Sequence, residues 1–115
     1  MRLILKSLFI LFSLLTVHSA ISQTIQQQKE SETYQIGVMV ETLQQALKVR
    51  DEQALQTIQL YGTDSRYYSM IRGWLFQELV AVESQLYASK NKPNSEKFQL
   101  KSNFLKQAIR LIDLE

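Results

Sequence analysis

From residue 34 onward, apolar side chains recur every three or four positions, and the only proline is Pro93. That spacing gathers apolar groups on one side of an α-helix and gives a β-strand no consistent face. No stretch alternates apolar and polar residues over the length of a strand. Such a chain buries its apolar surface by packing helix against helix. The expectation is an all-α fold: a small bundle of about four helices, arranged as two helical hairpins behind an N-terminal signal segment.

The spacing and the turn residues divide the chain. Ile36, Val40, Leu43 and Leu47 form one stripe, on a first helix expected from Glu32 or Thr33 to Val49. Asp51 stands where an N-cap would open a second helix, with Ala54, Leu55, Ile58 and Tyr61 on its apolar side. Gly62 is placed to close that helix in a left-handed conformation. Asp64 or Ser65 then caps a third helix, expected from Arg66 to Ser89. The turn around Pro93 leads to a fourth helix, capped by Asn94 or Ser95 and running from Glu96 to Asp113.

The densest stretch of the chain, Tyr61 to Leu75, thus falls at a helix junction. It holds three of the five tyrosines and the only tryptophan. Tyr68, Ile71, Leu75, Leu79, Val82 and Leu86 share one side of the third helix, with Tyr67 and Trp74 at its margin. Most of the aromatic density is therefore expected to be core.

A second set is left over. Phe76, Val80 and Tyr87 recur on nearly the opposite side of the same helix, beside Ser69 and Gly73. A surface helix needs one apolar stripe, and two stripes imply either burial on both sides or contact with another molecule. The fourth helix is also broadly apolar: Phe98, Leu105, Ala108, Ile109 and Ile112, extended by Leu100, Phe104 and Leu111. The candidate interface is Gly73, Phe76, Val80, Tyr87, Phe104 and Leu111. Glu78 falls inside the third helix's core stripe, so it is expected to reach solvent at the stripe's edge or to pair with an arginine such as Arg72 or Arg110.

The N-terminus carries a different signal. Arg2 and Lys6 precede an apolar run from Leu8 to Val17, and small residues follow. That is the layout of a secretory signal, with cleavage expected after Ser19 or Ser22; the alternative is an uncleaved membrane anchor. On this reading residues 1–22 are the signal, 23–33 a polar, Gln-rich tether or frayed helix start, and 34–115 the helical domain. Of the 13 Lys and Arg residues, Arg2 and Lys6 lie in the signal, leaving 11 basic against 11 acidic residues. A neutral domain without a basic block has little electrostatic drive toward nucleic acid or anionic membranes.

The composition narrows the chemistry further. The chain has no cysteine, and its one histidine, His18, lies in the signal. No thiol nucleophile, imidazole base or ordinary zinc site can then be built in the domain. No cofactor, metal or catalytic residue is expected. A cysteine-free exported chain fits a bacterial periplasmic or secreted protein better than an animal one, whose small domains lean on disulfides. The function expected is a non-enzymatic interaction module of the cell envelope: an adaptor, inhibitor or accessory subunit. Its partner would be another protein or a second copy of itself. The alternative is a small apolar ligand or lipid held in an enclosed cavity lined by Phe76, Val80 and Phe104. A carboxylate-only hydrolase would need two acids facing one cleft, and Glu78 and Glu83 share no helix face.

Overall fold

A computed structural model describes the backbone of residues 2–114 and the side chains of residues 24–114. It consists of four helices: α1 (Arg2–Val49), α2 (Glu52–Gly62), α3 (Tyr68–Ala88) and α4 (Ser95–Asp113). The all-α expectation holds. The segment read as a signal, 1–22, lies outside the residues whose side chains are described.

The chain forms two compact units, Met1–Val38 and Met39–Glu115. In the first, every side chain from 24 to 38 is exposed. The expected helix start at Glu32 or Thr33 is not a break, because α1 runs through residues 24–33. Gln, Lys and Glu are good helix formers, and no Pro or Gly interrupts the segment before Gly37. Ile36, expected in the core stripe, is 40% exposed.

The second unit holds the core. Met39, Leu43, Ala46 and Leu47 come from α1, and Ala54 and Ile58 from α2. Ile71, Leu75 and Val82 come from α3, and Phe104, Leu105, Ala108 and Ile112 from α4. Tyr67, Tyr68, Trp74 and Leu79 pack against this cluster half-buried, so the aromatic stretch is core margin more than core centre.

The helix ends explain the chain's path. Asp51 caps α2 as expected: its carboxylate accepts the Ala54 N–H at 2.7 Å. Gly62 does not close α2 in a left-handed conformation, since no glycine has a positive φ. It is needed for proximity. A Cβ built there would stand 2.5 Å from Ile112 Cγ2. The left-handed positions are Arg50 (φ 54°), after α1, and Asn91 (φ 67°), after α3. Neither Asp64 nor Ser65 caps α3; the N-cap is Tyr67, without a side-chain bond. Asp64 instead accepts the Arg66 backbone N–H at 3.0 Å and pairs with its guanidinium at 2.8 Å. Asn94 takes the N-cap position of α4, also without a side-chain bond.

α3 and α4 form a hairpin about the Ser89–Asn94 turn. Residues at the start of α3 meet the end of α4, as antiparallel neighbours require. Arg72 Nε donates to Asp113 at 3.0 Å, and the Tyr68 hydroxyl donates to the same carboxylate at 2.7 Å. Glu83 pairs with Lys106 at 3.4 Å. Glu78 pairs with Lys101 at 3.2 Å, not with Arg72 or Arg110. Arg72 is meanwhile held by Asp113. Beneath these pairs, Ser102 is fully buried and its hydroxyl has no hydrogen-bond partner among the described residues.

Candidate interaction surface

α3 is buried on one side only. Ile71, Leu75 and Val82 face the core. At 100° per residue, Phe76, Val80 and Tyr87 lie on roughly the opposite side. They are 53%, 53% and 83% exposed. Gly73 is exposed beside them, and a Cβ built on it would meet nothing within 4 Å. Four of the six residues singled out in the sequence therefore share one solvent-facing strip.

The other two do not join it. Phe104 is 7% exposed and belongs to the core cluster, and Leu111 is half-buried. On α4 they sit at the edge of the core stripe, so breadth of apolarity there reflects burial. Leu100, beyond them, is 61% exposed and completes no common patch.

The strip is wider than the sequence reading drew it. Met70 is 45% exposed, and Gln77, Ala81, Ser84 and Ala88 are also exposed on the same half of the helix. The only exposed charged residues of α3 are Arg72 and Glu83. Both stand on the edge facing α4, where they hold Asp113 and Lys106. The signal that would have found this breadth is the lack of charge. Solvent-facing helix surface is ordinarily rich in charged groups.

The electrostatics of that edge are simple. Arg72 first, and the Tyr68 hydroxyl second, hold the Asp113 carboxyl below its usual range. The same bonds raise Arg72 and Tyr68 above theirs. Arg66 likewise lowers Asp64.

A recess of about 590 Å³ opens where α3 meets the turn to α4, lined by Leu86, Tyr87, Lys90, Asn91, Gln99 and Ser102 among others. Its polar rim differs from the apolar cavity expected of a lipid binder. Phe76 and Val80 face solvent while Phe104 is in the core, so these three enclose no common space. Glu78 and Glu83 each hold their own lysine, and no group of three potential metal ligands occurs among the described residues. Among those residues no helix is long and apolar enough to cross a membrane.

Comparison with protein-family models, curated proteins and solved structures finds no match to this chain. The class defined by the fold and the surface is a small all-α bundle in which the outer face of α3 is exposed and apolar, with charge along one edge.

Proposed function

We propose that this chain is a helical interaction module of the cell envelope, acting after export, and that it binds another protein through the outer face of α3. The observation that carries the reading is the row Phe76, Val80 and Tyr87, exposed on a side of α3 whose charged residues, Arg72 and Glu83, stand along one edge. Contiguous exposed apolar surface is costly to keep in water and marks contact sites. Export is supported by the three-part layout of residues 1–22. N-terminal sequencing of the protein recovered outside the cytoplasm should begin at Ala20 or Gln23.

The test of the surface is Phe76→Lys. An exposed substitution away from caps and core shifts stability by no more than about 0.5 kcal/mol. The variant should therefore keep its helical circular dichroism and its cooperative melt, and lose a partner that wild type retains on capture from the envelope. A variant that no longer folds would show that the strip is core. A folded variant that keeps every partner would remove this face as the contact.

A further inference from the structure

We infer that the occupant of the α3 face is a second copy of this chain, with the two α3 helices antiparallel across a two-fold axis near Gln77 and Glu78. The inference rests on the interaction reading above and names its partner. It is carried by self-complementarity of charge and of size along one helix.

Arg72 and Glu83 carry the charge of this face. They lie about three turns apart and within about 20° of each other around the axis, so they mark the same edge of the face. An isologous interface brings each surface residue opposite its symmetry-related counterpart. With the axis midway between them, Arg72 of one copy meets Glu83 of the other, and the converse contact forms at the far end. Arg72 already holds Asp113 through Nε, and Glu83 holds Lys106. Each end of the interface then gathers two positive and two negative groups in alternation. Parallel pairing of the same helices would set Arg72 on Arg72 and Glu83 on Glu83.

Side-chain size favours the same register. Along the row nearest the charged edge, the small residues Ser69 and Gly73 come first and the bulky Phe76, Val80 and Tyr87 follow. Antiparallel pairing sets Tyr87 of one copy over Ser69 and Gly73 of the other, and Phe76 against Val80. The open space at Gly73 receives a ring in place of a Cβ. Between these contacts the strip presents no charge that pairing would desolvate. α3 is 21 residues long, about 31 Å, and one helix face buries less than the ~800 Å² per partner of a standard interface. The dimer is accordingly a weak one.

The experiment uses the protein as its own cells process it, followed by sedimentation velocity over a micromolar to sub-millimolar series. Wild type should pass from monomer to dimer within that range. Arg72→Glu and Glu83→Arg should each weaken self-association about tenfold, since each sets like charges together at both ends. An equimolar mixture of the two variants should associate like wild type, because only the mixed dimer restores opposite charges at both ends. Thermal melts of each variant separate this from loss of folding. Wild type that stays monomeric throughout, or single variants that dimerise as well as wild type, would overturn the inference. In either case, loss of a foreign partner by a folded Phe76→Lys protein would leave the broader reading standing. Failure of Phe76→Lys to fold would remove both.

Discussion

Glycine and arginine have exchanged their customary places in this chain. Gly62 has an ordinary helical backbone and is required because Ile112 occupies the space where its side chain would be. Gly62→Ala should therefore cost about 1–3 kcal/mol through overpacking, read as a lower urea midpoint with an unchanged slope. Arg50, by contrast, carries the left-handed backbone that glycine adopts freely. Arg50→Gly should raise stability by about 1 kcal/mol or less, because the relieved strain is partly offset by the greater freedom of glycine in the unfolded chain. A loss of stability in Arg50→Gly would show that the arginine side chain matters more than its backbone angle. The sequence could not separate these roles. A Gly after a helical pattern looks the same whether it supplies a turn or makes room, and the difference lies in Ile112, fifty positions on.

At the scale of the element, the helices were legible and their margins less so. Apolar spacing located α2, α3 and α4 to within a residue or two, because each has a stripe and a polar break. The start of α1 was not legible, since Gln, Lys and Glu continue a helix without announcing it. The outer strip of α3 could be read as apolar, but exposure depends on which neighbours pack where. Phe104 shows the limit: on sequence it resembles Phe76, and the structure buries one and exposes the other. The partner of Glu78 was missed for a related reason, because the register between α3 and α4 sets which lysine is near.

That register also makes the Asp113 contact sensitive to acid. Its carboxyl is held below its usual range by Arg72 and Tyr68. A depressed folded value adds stability above the unfolded value of about 4, and that stability is lost as pH falls through the folded value. Denaturation midpoints followed from neutral pH to about pH 2 should fall less steeply in Asp113→Asn than in wild type. Equal acid slopes would show that the three-residue contact contributes nothing to folding. With Arg72 and Asp113 both part-exposed, the effect will be modest.

At the scale of the molecule, four of the thirteen buried apolar residues among those described belong to α4. Without them Ile58, Ile71 and Leu75 have no complete cover. A chain ending at residue 94 should therefore show helical signal but no cooperative melt; a sharp transition in that fragment would mean that α1, α2 and α3 make a core by themselves.

Gly62 and Ile112 give this dependence a direction in time. The notch in α2 leaves the ribosome fifty residues before the side chain that fits it, so over that interval the chain has a lock and no key. Locking of this unit must wait for α4. Between those two residues the growing polypeptide is a thread still waiting for its clasp.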